Sequence, residues 1–451
     1  MPDRSRQPEG GVRVPVPYRD PLSVYAAFAG ETGAVLLDSA DGAGLSYVTV
    51  RPRRWITRQM ETMQNPFTLL TTLLAQAQLV ANYVDKSPFT GNMVGFLGYE
   101  LNGRLERLPP PQPATFVLPD LAVGIYDSVA IFAPATRQAW VTAPDEASAH
   151  HLAQRMMAAA VLPPVDWTPH GSWQADITRA DYEAKVQRVI EAITAGEVFQ
   201  VNLSQRFTAS LPAGLTPFML YRRLRALTPA PFAACLSLGK KQFILSASPE
   251  RFLKVERDGR VETCPIKGTR PRGATATADA ALAAALTASA KDHAENLMIV
   301  DLLRNDLAKV CQPGSVQVPA LCQLERFASV HHLVSVIEGR LAAGRTAVDL
   351  LHGAFPGGSV TGAPKIRAME IIAELEPCRR GPYCGTILWL SSNGAMDSAI
   401  VIRTLVVDGE RVAAHAGGGI VHDSDPAAEW EETMIKARPL LTALTGISPA
   451  P

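Results

Sequence analysis

The stretch Glu262-Thr263-Cys264-Pro265-Ile266-Lys267-Gly268-Thr269-Arg270-Pro271-Arg272-Gly273 organises the reading of this chain. Pro265 fixes the backbone before Ile266, and Gly268 and Gly273 permit tight turns on either side of Thr269. The segment is stiff and cationic, with a single lysine, Lys267, among small or apolar neighbours. A lysine crowded by other cations gives up its proton more easily, and the neutral amine is a nucleophile. A basic surface turn with no chemical role accounts for the same composition.

The chain around it has 451 residues, 47% hydrophobic and 19% charged, ample for a large core. Length alone suggests roughly two to four domains, a rule that large intertwined folds break. Lys+Arg and Asp+Glu balance at 43 each. No global field therefore recruits nucleic acid or an anionic membrane, and a charged substrate must be met locally. Six cysteines (Cys235, Cys264, Cys311, Cys322, Cys378, Cys384) include no Cys-x-x-Cys pair. That pattern argues against a zinc site and for reduced thiols. The opening residues lack the apolar core of a signal peptide, and no uncharged apolar run is long enough to span a bilayer. The expectation is a soluble, cytoplasmic protein with no nucleic-acid or membrane partner.

Outward from the central stretch, residues 1–17 read as a disordered tip and 18–165 as an N-terminal module. The break Leu162-Pro163-Pro164-Val165-Asp166-Trp167-Thr168-Pro169 precedes a larger module over 173–446. Helices are expected at Tyr18 to Ala29, Pro66 to Tyr83, Glu146 to Ala160, Thr178 to Ala195, Pro217 to Ala226, Thr361 to Leu375 and Ala427 to Leu444. Leu121 to Phe132 and Ala395 to Val407 each read as one strand. Strands and helices come in clusters, which indicates an α+β fold with mostly antiparallel sheets.

Two helices offer carboxylates. Glu295 shares a helix face with Ile299 and Leu302, and a carboxylate on an apolar stripe is costly to bury alone. A salt bridge or a hard divalent cation would meet that charge. Glu429, Glu432 and Lys436 fall at i, i+3 and i+7, as a solvated stripe would. Beside them Gly417, Gly418 and Gly419 could expose backbone N–H groups that cradle an anion. No Gly-Lys-Ser/Thr follows in the frame of a phosphate loop, so a carboxylate is the better guest.

Several stretches resemble the chorismate-utilising enzymes, in the same order along the chain. These are Pro265 to Gly273, Ser248-Pro249-Glu250-Arg251-Phe252, Phe355-Pro356-Gly357-Gly358-Ser359-Val360-Thr361-Gly362-Ala363-Pro364-Lys365, His415 to Val421, and the helices of Glu295 and Glu432. The resemblance is dense from Trp173 to Leu444 and thinner before it. It implies a large intertwined fold, two mostly antiparallel sheets packed as a sandwich with helices outside. It implies Mg²⁺ on Glu295 and Glu432, with Glu429 in support, and Glu250 as general acid for the departing ring hydroxyl. His332 matches a family histidine near that hydroxyl. Gly417, Gly418, Gly419, Lys436, Arg403 and Tyr383 resemble the grip on the substrate's carboxylates, with Thr269 and Thr361 also binding substrate.

Two positions separate the family's branches. Gln200 stands where water-adding members carry an activating lysine, and glutamine cannot act as a general base. Ammonia is therefore the implied nucleophile. Lys267 is similar to the lysine of the aminodeoxychorismate-forming branch, where anthranilate-forming members carry alanine. It would attack ring carbon 2 as the 4-hydroxyl leaves with a proton from Glu250, and ammonia would displace it at carbon 4. With no Gly-x-Cys-x-Gly turn and downstream His-x-Glu, the ammonia is expected from a separate glutamine amidotransferase subunit. Leu37, Ser39, Tyr47, Pro231 and Phe232 resemble the family's tryptophan pocket, with Asp38 in place of the glutamate usual in the inhibited enzymes. Plain core packing explains those five residues equally well. A non-catalytic tryptophan-binding scaffold is the reading from a different class, and it should have lost part of the set Glu250, Lys267, Glu295, Glu432 and Lys436.

Overall fold

The computed structural model describes residues 11–63, 65–78, 89, 91–326 and 330–446. Two large sheets form its frame. The first has 12 strands, in the order Val12–Val16, Gln138–Ala143, Val129–Ala133, Ser46–Thr49, Val35–Asp38, Phe232–Gly239, Gln242–Ser248, Thr404–Asp408, Arg411–Ile420, Gln200–Ser210 and Gly362–Ala363, with Gln174–Ala175 also on Gln200–Ser210. The second has 10, in the order Ile266–Pro271, Val330–Arg340, Arg260–Thr263, Arg251–Val255, Met396–Ile400, Thr386–Leu390, Asn92–Leu97, Leu121–Tyr126 and Arg54–Arg58, with Gln317–Arg326 also on Val330–Arg340. The pairing is antiparallel in both.

The sheets face each other across a core containing Val35, Tyr47, Phe96, Tyr126, Leu236 and Trp389. Helices cover the outer faces. Tyr25, Leu152, Tyr221 and Leu440 bring four of them onto the first sheet, while Leu70, Ile299, Leu303 and Leu351 serve the second. Burying both faces of both sheets explains why so many strands read as continuous apolar runs rather than alternating ones. Helix ends follow local chemistry: Thr178 and Asp181 form a reciprocal capping box at the start of Arg179–Thr194. The α+β sandwich expected from the sequence is what the chain builds.

Five local expectations are corrected. The supposed tip contains the strand Val12–Val16, paired with Gln138–Ala143, and its three valines pack on the core. Leu121 to Phe132 is two strands in different sheets, and so is Ala395 to Val407. A continuous apolar run does not reveal where the chain leaves one ladder for the other. The central stretch is a strand, Ile266–Pro271, whose register shifts between Lys267 and Thr269. Gly268 sits there at φ +71°, and a Cβ would come within 2.8 Å of Leu286. Finally, the helix after Thr361 begins only at Lys365, behind the short strand Gly362–Ala363. Residues 79–83, where the expected Pro66 helix would end, lie outside the described residues.

Both sheets draw strands from either side of the break at 162–169. The passages between sheets matter for the site. Glu250 sits on the passage from Gln242–Ser248 to Arg251–Val255, and Arg403 on that from Met396–Ile400 to Thr404–Asp408.

Candidate active site

Glu250 is buried, and its carboxylate Oε1 accepts a 2.6 Å hydrogen bond from Ser359 Oγ. Burial pushes the carboxyl up, opposed by the Ser359 bond and the charges of Lys267 and Lys436. A carboxyl of this kind holds its proton further toward neutral pH than an exposed one. Lys267 also lies within electrostatic reach of Glu295 and Glu432. Arg403 donates to the Lys436 carbonyl at 2.9 Å and interacts with Tyr383, Glu432 and His332. Thr269 Oγ1 and His332 Nδ1 are 2.9 Å apart across neighbouring strands. Burial is the first cause of the downward shift of His332, which favours the neutral ring. Residues from distant parts of the chain thus share one constellation.

The carboxylates on the two helices converge as well. Glu429 is buried and accepts from Ser424 Oγ at 2.7 Å. Burial raises its carboxyl, and the neighbouring Glu432 charge adds to that. Burial raises Glu295 too, with Glu432 again contributing. Glu432 is half-exposed and held low by Lys436, whose Nζ is 2.6 Å away. Lys291 bridges Glu295 at 4.0 Å and Glu429 at 3.7 Å. Among the described residues no group of three or more His, Cys, Asp or Glu side chains is placed to hold a metal unaided.

The glycine run is not a loop. Gly417, Gly418 and Gly419 pair with Ser204, Leu203 and Asn202 along one edge of the strand Arg411–Ile420, while the ladder on its other edge runs only over Arg411 to Ala414. What glycine provides is room. A Cβ on Gly418 would lie 3.1 Å from Glu429 Oε2 and 3.6 Å from Lys436 Nζ, and one on Gly419 would lie 2.2 Å from Gln200 Nε2. The Gly417 carbonyl accepts from Lys436 Nζ at 3.0 Å. Gln200 is fully buried with neither end of its amide hydrogen-bonded. Thr361 is buried too, its hydroxyl donating to the Gly357 carbonyl at 3.0 Å.

The crowding of Lys267 by cations is also corrected. Arg270 pairs with Asp292 at 2.9 Å and Arg272 with Asp279 at 2.7 Å. Neighbouring helices neutralise the arginines, and the charges that reach Lys267 include three carboxylates.

Sequence reasoning missed the supporting residues. Arg380, buried, donates to both oxygens of Glu376 and to the carbonyls of Val360 and Asn202. Glu376 in turn receives Ser204 N–H and Oγ at 2.8 Å. Tyr383, which the sequence did single out, stacks on buried His415 with ring centroids 5.1 Å apart. Arg380 and Glu376 are four residues apart, but their other partners, Ser204, Asn202 and Val360, are distant in sequence, and no periodicity announces those.

The tryptophan-pocket candidates do meet. Leu37, Ser39, Tyr47, Pro231 and Phe232 line one cavity of about 540 Å³ between the sheets, with Trp389 and Arg251. Tyr47 also belongs to the inter-sheet core, with Leu37 packed against it, so the cavity opens beside core packing rather than in its place. Asp38, on the same wall, is held by Tyr221 at 3.1 Å, Ser46 at 3.2 Å and Arg225.

Residues 32–442 match the family model described as chorismate binding enzyme. The chain belongs to that family. Among its relatives, the aminodeoxychorismate synthase component 1 of Klebsiella aerogenes is 44% identical over 380 residues, 84% of this chain and 83% of that protein. The anthranilate synthase component 1 of Streptomyces coelicolor is 41% identical over 450 residues, 94% of this chain and 86% of that one. The crystal structure of anthranilate synthase component I from Streptococcus pneumoniae superposes with TM-score 0.78 at 32% identity, covering 88% of this chain and 92% of that one. For this chorismate binding enzyme, sequence and fold therefore agree on the family, and Lys267 bears on the branch.

Proposed function

We propose that this chain is the synthase component of an aminodeoxychorismate synthase, converting chorismate and ammonia to 4-amino-4-deoxychorismate and water for p-aminobenzoate and folate synthesis. The observation that carries the reading is the pairing of an amine with a carboxyl held up by burial, Lys267 and Glu250, within one site. A buried acid that keeps its proton suits the departure of a poor leaving group.

Lys267 Nζ, once neutral, forms a bond to ring carbon 2 while the ring double bonds shift and the carbon–oxygen bond at carbon 4 breaks. Glu250 gives that oxygen its proton, and water departs. Ammonia then bonds to carbon 4, the double bonds shift back, and the carbon 2–nitrogen bond breaks to release Lys267. Arg403, Lys436 and Tyr383 hold the substrate's carboxylates, Thr269 and Thr361 line the ring, and Gln200 keeps a non-basic amide beside the nucleophile's approach. His332, neutral and tied to Thr269, orients the region of the leaving hydroxyl.

Glu295, Glu429 and Glu432 would hold Mg²⁺. Their hard oxygens repel one another, and a cation completed by substrate oxygens and water suits so incomplete a protein cage. When bound, the ion fixes and neutralises a substrate carboxylate. A glutamine amidotransferase subunit supplies the ammonia, consistent with the relatives' designation as component 1. No helix among the described residues is long and apolar enough to cross a membrane, and the six cysteines are free thiols. A cytoplasmic location fits both.

The test is to incubate the chain with chorismate, Mg²⁺ and an ammonium salt, then identify products by mass and by pyruvate release. Aminodeoxychorismate without pyruvate is expected. Anthranilate with equal pyruvate would replace this reading with the other amino-transferring branch. Failure to consume chorismate would favour a non-catalytic scaffold.

A further inference from the structure

Resting on that reading of Glu250, we propose that Ser359 is a positioning residue for the acid: its hydroxyl commits Oε1 of Glu250 to accepting, leaving Oε2 to carry the transferable proton. The geometry is direct, since Ser359 Oγ donates to Oε1 at 2.6 Å and both residues are buried. A carboxyl group can carry its proton on either oxygen, and only one placement serves a leaving group on a given side. A donor fixed on one oxygen removes the wrong placement.

The donor itself is held in place. Ser359 lies in the turn Gly358–Val360, whose Val360 carbonyl accepts from Arg380 at 2.9 Å. Arg380 is buried, clamped by Glu376, and also bonds to the Asn202 carbonyl at 2.7 Å. Thr361 Oγ1 closes the turn on the Gly357 carbonyl. A Cβ on Gly358 would come within 2.5 Å of Leu302, so the turn is pressed against the Glu295 helix. The backbone of Glu250 is anchored as well, its N–H on Ser248 Oγ at 3.3 Å and its carbonyl on Ile400 N–H at 3.1 Å.

The other groups facing this carboxyl are Lys267 on the strand Ile266–Pro271, Lys436 on the last helix, and the Cys384 thiol beside Tyr383. Neither lysine distinguishes the two oxygens through a hydrogen bond in this structure, whereas Ser359 does. Donation to a carboxylate stabilises its ionised form. Removing the hydroxyl must therefore move Glu250 further up and loosen its orientation.

The experiment compares wild type, Ser359→Ala and Ser359→Cys. Carboxyl titration is followed by infrared difference spectroscopy, and the Glu250 band is assigned by its loss in Glu250→Gln. In Ser359→Ala the Glu250 midpoint should rise by about one pH unit, and in Ser359→Cys, a weaker donor, by less. This readout needs no turnover, so it tests the hydrogen bond apart from the proposed reaction. Kinetics then test the role. With rates corrected for free ammonia, the alkaline limb of kcat should move upward in parallel while kcat falls about tenfold. An unmoved Glu250 midpoint in both folded variants overturns the proposal, as does a shifted midpoint with an unchanged kcat. If wild type forms no aminodeoxychorismate, the reaction assignment and the role built on it fall together, whatever the titration shows.

Discussion

The Lys267–Glu250 constellation and the 540 Å³ cavity lined by Leu37, Tyr47 and Trp389 treat charge in opposite ways. Around the cavity most ionised groups are paired off, Glu325 excepted. Asp38 is held by Arg225, Tyr221 and Ser46, and Arg251 is shared between Asp397 at 3.1 Å and Glu262 at 2.8 Å. In the constellation, burial holds Glu250, Glu295 and Glu429 above the ordinary carboxylate range, and Glu432 repels two neighbours. A wall with neutralised charges suits holding a molecule. A site with unrelieved charges suits changing one, because reacting groups and ions can relieve them.

The largest expected effect breaks the reactive half. Lys267→Ala should lose aminodeoxychorismate formation, with residual turnover diverted to anthranilate and pyruvate. Mass analysis checks this, and undiminished aminodeoxychorismate would remove the covalent role. Next, Glu250→Gln should lower kcat by roughly 10²–10⁴-fold, the usual range for a positioned acid, measured at saturating chorismate. Arg380→Ala should cost about 3–5 kcal/mol by leaving Glu376 buried without its partner. Denaturant unfolding would reveal that loss, and a stability unchanged from wild type would deny the pair its structural weight.

The quieter region yields a smaller signal. If the cavity binds tryptophan, a hundredfold excess over Kd stabilises the fold by about 2.7 kcal/mol. Ser39→Phe, which fills the cavity, should abolish the resulting rise in Tm. No rise in wild type would leave that cavity to another occupant.

The smallest effect concerns Mg²⁺ and pH. Glu295 and Glu429 have folded-state values above their unfolded ones, so the native state binds more protons within that window. Stability therefore falls as pH rises through it, and the penalty persists above the folded values. Added Mg²⁺ should raise Tm more near neutrality than at acid pH, where protonated carboxyls bind it poorly. An equal rise at both would argue against these ligands.

The sequence alone determined the α+β class, the helix faces that present Glu295 and the Glu429–Lys436 stripe, and the choice of Lys267 and Glu250 as the candidates for reacting groups. These rest on local periodicity and on contiguous motifs, which survive without coordinates. Only the tertiary structure decided where Leu121 to Phe132 and Ala395 to Val407 change sheets, because a strand buried on both faces carries no mark of its partner. It also decided that Gly417 to Gly419 form a ladder beside a charged cluster, that Arg270 and Arg272 are spent on Asp292 and Asp279, and that Ser359 meets Glu250. Those facts depend on contacts between separate elements, most of them far apart in the chain, and such contacts exist only once those elements pack together.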